Sequence, residues 1–398
     1  MYGGLSYGGA HRQVIRLLCA LDKTKFNLTY FWCKPNPDLN STFIWPEMDY
    51  SNIDLMINHG ICVVEFNTLT RDVGKKFHPW IKTDFFEKYK KIKTDLIFAA
   101  RAGYPEYPFI KLREPVIEWN IFGCADQSQN IIHSVCISDW SYKQWKQGAQ
   151  KKIGEIIYPA VPHPAEISSM RSKLGISEDV VVIGFHQRED DHIYGDHALR
   201  AYAKTFHLLK SPSLFLIVGG SDRYKILSVE LNLPVMFLPV IKEYKEVSSF
   251  LHTLDIFAHS GGAGEAHVTV IQEAMMHALP VITMRIEGRP DGQVGTLAGN
   301  GVVVEDVDAY ANAIVVLVNN KDKRVKIGAQ AGQYAQDNYR IETVAFKFEN
   351  IFCENAKKFH NIKFSPSRLM LLDESCNNFS ITRSVRSIFG RAWRILSR

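Results

Sequence analysis

Short apolar runs alternate with stretches of helical period along most of this chain. Arg12 to Leu21 places Val14, Ile15, Leu17, Leu18 and Leu21 on one face, which predicts an amphipathic helix, and residues 26–32, Phe-Asn-Leu-Thr-Tyr-Phe-Trp, predict a strand. The alternation continues with 54–59 before a strand at 60–66, with 85–91 before a strand at 95–100, and with strands at 115–119 and 134–138. The second half repeats it, with strands at 180–185, 214–218, 235–238, 255–258, 281–284 and 301–304 and a helix around 197–209. Strands separated by helices imply crossover connections and parallel sheets, so the expected fold class is α/β with two doubly wound, Rossmann-like domains. Ligands of such sheets bind beyond the carboxyl ends of the strands, which makes the cleft between the domains the expected active site.

The start of the chain departs from this scheme. A nucleotide-binding α/β domain opens with a buried strand before its glycine loop, yet here the glycines come at positions 3, 4, 8 and 9 with only Met1 and Tyr2 ahead of them. The expectation is that the first strand is missing.

The most informative segment runs from His259 to Ile282 and contains Gly261-Gly-Ala-Gly264-Glu265 and then Glu273. Glycines let the backbone come close to a ligand, and the helix that follows presents unpaired N–H groups and the positive end of its dipole, a setting suited to a diphosphate. Glu265 stands at the junction of loop and helix. At about 100° per residue, Glu273 falls within ~80° of the same face two turns on, so one carboxylate can read a sugar and the other a ribose.

With its glutamates and the closing Glu273-Ala-Met with Pro280-Val-Ile, this segment resembles the donor signature of retaining GT-B glycosyltransferases, the large nucleotide-sugar family 4. Tyr7-Gly8-Gly9-Ala10-His11 resembles that family's N-terminal glycine loop, and Ile157-Tyr-Pro-Ala-Val-Pro162 its interdomain linker. Residues 172–184 and Leu216-Ile-Val-Gly-Gly220 are similar to the strands and turns that open its second domain. The ordered set extends from about residue 3 to about residue 352. It implies an acceptor-side domain at 1–152, a nucleotide-sugar domain at 153–345, and a crossover helix with a basic amphipathic tail at 346–398. It further implies donor contacts from Glu273, Gly8, Gly9, Gly264, Val270 and Ile271, with Glu265 as a catalytic residue.

The segment Gly184-Phe-His-Gln-Arg188 through Tyr194-Gly195 lies between a strand and a helix, where the family sets an Arg and a Lys on the donor diphosphate. Arg188 is the candidate for holding the leaving phosphate in a guanidinium fork. Tyr194 stands where the lysine is expected. Two further departures are visible. Ala266, His267 and Val268 follow the first glutamate instead of a small residue, Phe and Gly, and Val268 tolerates positive φ poorly. On the acceptor side, Glu118-Trp119-Asn120 occurs in place of a histidine; Asn120 can position a hydroxyl but is no base at neutral pH.

Composition and charge narrow the classes. Across 398 residues, 46% hydrophobic content is enough for substantial cores and excludes a disordered chain. The seven cysteines show no Cys-x-x-Cys spacing, which suggests neither zinc nor a disulfide framework and fits a reducing cytoplasm. A guanidinium and helix N–H groups can take a metal's place on a diphosphate, and no metal or other cofactor is expected. Lys363 and Arg368, 383, 386, 391, 394 and 398 outnumber Asp373 and Glu374 by the whole chain's net +5. Within 381–398, Ile381, Val385, Ile388, Phe389, Ala392, Trp393, Ile395 and Leu396 share one helical arc and five arginines the opposite one, the pattern of a basic helix on an anionic membrane. Charge confined to one short tail, without a recognition module, gives no expectation of a nucleic-acid partner. These readings combine into a cytoplasmic enzyme, peripheral on the inner face of a membrane, that moves a sugar from a nucleoside-diphosphate donor to a carbohydrate or lipid-linked acceptor. The alternatives are an epimerase using the same nucleotide site and a catalytically inactive relative that binds sugars or scaffolds an assembly.

Overall fold

The computed structural model describes residues 2–3, 5, 9–34, 48–72, 80–106, 108–165, 168–187, 195–241 and 243–365. The chain divides into two units, one of Met1–Ile137, Ser141–Ile157 and Ala345–Arg398, the other of Ser138–Trp140 and Tyr158–Val344.

The first unit contains strands β1 (Tyr2–Gly3), β2 (Thr29–Lys34), β3 (Cys62–Asp72), β4 (Trp80–Thr83), β5 (Ile97–Arg101), β6 (Val116–Asn120), β7 (Ile131–Cys136) and β8 (Ile153–Ile156). They form two sheets in the orders β1-β2-β3-β4 and β5-β6-β7-β8. Pairing is parallel throughout except between β3 and β4, which run antiparallel. A two-residue strand thus stands at the expected first position, with Tyr2 opposite Phe31 and Gly3 opposite Trp32.

Every residue of β6 and β7 is buried, as the near-continuous apolar runs of parallel strands require. β8 differs. Its residues alternate between exposed and half-buried, and among the described strands it pairs with β7 alone, as an edge strand of the first unit, which runs through Ile157 here. The chain also returns here at its other end. Along the helix Ile341–Lys358, Phe348 and Phe352 pack edge-on against Phe98, each at 5.2 Å between ring centroids, and Phe348 meets Trp119 at 5.1 Å. Glu349 of that helix accepts a hydrogen bond from the Asp22 amide (2.9 Å) and an ion pair from Lys25 (3.0 Å). Among the described residues no helix is long and apolar enough to cross a membrane. The tail from 366 onward lies outside them.

The second unit holds β9 (Val181–His186), β10 (Ser213–Val218), β11 (Val235–Leu238), β12 (Ile256–Ala258), β13 (Val281–Met284) and β14 (Val302–Val304). All pair in parallel, in the order β11-β10-β9-β12-β13-β14. In chain order this is 3-2-1-4-5-6, the doubly wound nucleotide-binding arrangement, and the winding reverses between β9 and β12. Ile183, Phe185, Phe215, Leu216, Ile217, Ile256, Phe257 and Ile282 are almost completely buried and form the centre of one continuous core. The helices Val307–Val318 and Lys321–Tyr339 are capped by Asp306 and Asn320, whose side chains accept from the amides of Ala309 (2.7 Å) and Lys323 (2.8 Å). Gly328 allows the second of these to pass directly over Ala278, since a Cβ there would lie 2.1 Å from the Ala278 carbonyl oxygen.

Candidate functional site

The site in the second unit is built at the reversal of the winding. β12 ends at Ala258, and the next residues leave the sheet through a turn tied to the start of the helix His197–Thr205. The amide of Gly195 donates to the carbonyl of Ser260 (2.7 Å), and the Ser260 hydroxyl donates back to the carbonyl of Gly195 (2.7 Å). Gly264 has φ +75°, a conformation in which a Cβ would lie 2.5 Å from that of Arg289. Glu265 is then fixed by its backbone, which bridges to Asp291 and accepts from the Gly292 amide at 2.9 Å.

The helix Thr269–Met276 follows, with Val268 at its N-cap in an extended conformation (φ −129°) and no capping side chain. The first N–H groups of this helix therefore keep their capacity for an anion. Val268 does not need positive φ, so its β-branch introduces no strain. Glu273, two turns on, is buried except for about 8% of its surface. Val270 is half-buried, whereas Ile271 is fully buried in the core, which leaves only its backbone for a ligand.

Each glutamate faces an imidazole. His259 Nε2 lies 3.3 Å from Glu265 Oε2, and His186 Nε2 lies 3.3 Å from Glu273 Oε2. Sequence reasoning missed both histidines. His259 opens the glycine-rich segment, but a lone histidine after an apolar strand is more often structural, and His186 stands far from Glu273 in the chain. The adjacency of β9 and β12 brings His186 to Glu273.

His267 is a structural tie. Its Nε2 lies 3.0 Å from Gln272 Oε1, and Gln272 donates in turn to the carbonyl of Pro159 (2.9 Å). Burial pushes this imidazole down to about 4, so it is neutral at pH 7. His197, also buried and close to His259, is likewise lowered to about 4.

Of the remaining expected residues, Gly9, Glu118 and Asn120 belong to the first unit. Arg188, Tyr194 and Gly8 lie outside the described residues, and Gly9 opens the helix Gly9–Ala20. Glu118 and Asn120 are fully buried in the first unit. Asn120 accepts from the Gly123 amide (2.7 Å) and donates to the carbonyl of Cys124 (2.7 Å) and to Glu118 (3.0 Å). Glu118 also accepts from the Ser134 hydroxyl (2.6 Å) and faces Arg101 at 3.4 Å. That arginine is itself buried, pairing with Asp126 (2.8 Å) and Glu106 (3.2 Å). Burial raises the pKa of Glu118 and Glu106; it would lower that of Arg101, but the three carboxylates override it and raise it. These contacts organise the turn after β6, and neither side chain is presented to solvent.

Residues 166–334 match the family model for glycosyl transferases group 1. Spore coat protein SA of Bacillus subtilis (strain 168) is 26% identical over 165 residues, which make up 41% of this chain and 38% of that protein. The crystal structure of Anabaena HepE in complex with UDP and glucose superposes with a TM-score of 0.64 at 16% identity, over 89% of this chain and 98% of that one. A glycosyltransferase from Rickettsia africae ESF-5 gives 0.67 at 16% identity, over 89% and 97%. The shared fold is GT-B.

Proposed function

We propose that this chain, whose residues 166–334 belong to the glycosyl transferases group 1 family, moves a sugar from a nucleoside-diphosphate sugar to a carbohydrate or lipid-linked acceptor with retention of configuration. The observation that carries the reading is the placement of Glu265 and Glu273 on one loop and helix beside β9 and β12, where the sheet reverses its winding. Glu265 orients the sugar, Glu273 accepts hydrogen bonds from the ribose hydroxyls, and the uncapped helix N-terminus receives the diphosphate. The leaving diphosphate and the acceptor hydroxyl share one face of the sugar, and the glutamates position the donor rather than attack it. HepE binds UDP and glucose, which makes UDP-glucose the first donor to examine. A thermal-shift screen of nucleotide sugars, followed by the anomeric configuration of the product, tests the reading. An inverted product or an unchanged donor with altered sugar stereochemistry contradicts it.

Arg188 neutralises the leaving group in this reading. Arg188→Lys keeps the charge but loses the fork, and the rate should fall roughly 10–100-fold with the fold intact by circular dichroism. Turnover of Arg188→Ala at the parent's rate would assign the phosphate to another cation.

The reading also gives residues 381–398 to an anionic membrane surface. Deleting them should leave activity on a soluble acceptor unchanged and abolish flotation with anionic vesicles, and salt should weaken the parent's flotation because exposed charges are screened over about 10 Å. Trp393→Ser should weaken it even at low salt, since the apolar arc contributes separately. Equal flotation of full-length and truncated protein would give the tail to a protein surface instead.

A further inference from the structure

The two His–Glu pairs have a common construction. His186 is the last residue of β9 and His259 follows β12, so both rings rise from adjacent strands of the sheet while the glutamates belong to the loop and helix beside them. The rings are held independently of the carboxylates. His259 Nδ1 lies 2.8 Å from the Thr283 hydroxyl, its amide donates to the carbonyl of Ile282 (2.9 Å), and its own carbonyl accepts from the Tyr310 hydroxyl (3.1 Å). His186 sits edge-on to Phe250 and Phe257, with ring centroids 5.9 and 6.0 Å away. Both Nε2 atoms are buried and neither has a hydrogen-bond partner among the described residues, so the carboxylate at 3.3 Å is the group each one faces. A Cβ at Gly261 would lie 2.6 Å from His259 Cε1 and 3.1 Å from Glu265 Oε2, so a glycine at this position leaves room for the first pair.

We infer that His259 and His186 are positioning residues, each fixing the direction in which one glutamate presents its free oxygen to the donor: Glu265 to the sugar, Glu273 to the ribose. The inference rests on the function proposed above. The last torsion of a glutamate is broad, so an unheld carboxylate samples many orientations. When the His259 Nδ1 accepts from the Thr283 hydroxyl, the ring carries its proton at Nε2, where it faces one oxygen of Glu265 at 3.3 Å and holds it electrostatically, which aims the other. Such a pair acts on the transition state when the carboxylate reads the sugar, and on nucleotide affinity when it reads the ribose.

Paired substitutions separate this from space filling. His259→Gln keeps an N–H near the Nε2 position, while His259→Asn keeps a polar group only near Nδ1. With UDP-glucose as donor, His259→Asn should lower kcat roughly 30-fold and leave the Kd for UDP within about twofold, and His259→Gln should recover to within about threefold of the parent. His186→Asn should raise the donor KM about tenfold with little change in kcat, and His186→Gln should restore it. Equal losses in the Asn and Gln variants, or parent activity in both Asn variants, would overturn the inference. Glu265→Ala run alongside distinguishes the two levels: if it is inactive while His259→Asn is intact, only the positioning role falls, whereas an active Glu265→Ala removes the donor-site reading itself. A ligand-free arm decides the pairing whatever the donor. Urea unfolding of His259→Asn, Glu265→Gln and the double variant should show coupling, and additive effects would overturn the pair.

Discussion

Glu265→Ala should lower turnover by about 10³-fold or more, on the order of 4 kcal/mol of transition-state stabilisation, while the protein unfolds at nearly the parent's temperature. The reason lies in how the residue is anchored. Its backbone is fixed by Asp291 and Gly292, contacts that alanine keeps, so the loop survives and only the carboxylate is lost. Glu273→Ala should act differently, weakening nucleotide binding by ~2–4 kcal/mol through the loss of a charged acceptor for ribose hydroxyls. Donor kinetics on the two variants read the difference directly, and full activity of either would remove that glutamate from the site.

Arg101→Met should destabilise the first unit by about 3–5 kcal/mol, because it leaves Glu118 and Asp126 buried without their cation. For a unit of this size that is roughly 10 °C or more in its unfolding transition. Adding Glu118→Gln should recover part of the loss, since Gln at 118 still accepts from Ser134 and needs no counter-charge. Differential scanning calorimetry resolves the effect, and a transition within about 2 °C of the parent's would show that the cluster is not stabilised in this way.

Much of the architecture was legible in the chain because it is written in local periodicity. The apolar runs at 180–185, 214–218 and 281–284 became β9, β10 and β13 almost residue for residue, and the loop and helix of 261–276 brought its two glutamates to the carboxyl edge of the sheet. What escaped depends on pairing rather than on pattern. β8 has only an edge partner and so lacks the apolar run that marks a central strand, and the antiparallel turn of β4 onto β3 is a matter of connection. Glu118 and Asn120 read as acceptor-side residues at a strand end, but Arg101 and Ser134 reach Glu118 from other segments, the Gly123 amide and the Cys124 carbonyl engage Asn120, and both side chains are buried. The same holds for His186, which meets Glu273 across the contact of β9 with β12 and the helix that follows it.

The helix Ile341–Lys358 sets the order in which the protein can mature. The aromatic contacts of Phe348 and Phe352 with Phe98 and Trp119 belong to the first unit, yet the ribosome makes them only after nearly all of the second. At about 5–20 residues per second, the nascent first unit waits on the order of tens of seconds with that surface uncovered. Apolar surface uncovered for that long favours aggregation, and a nonsense codon anywhere before 345 would leave both units unfinished rather than one.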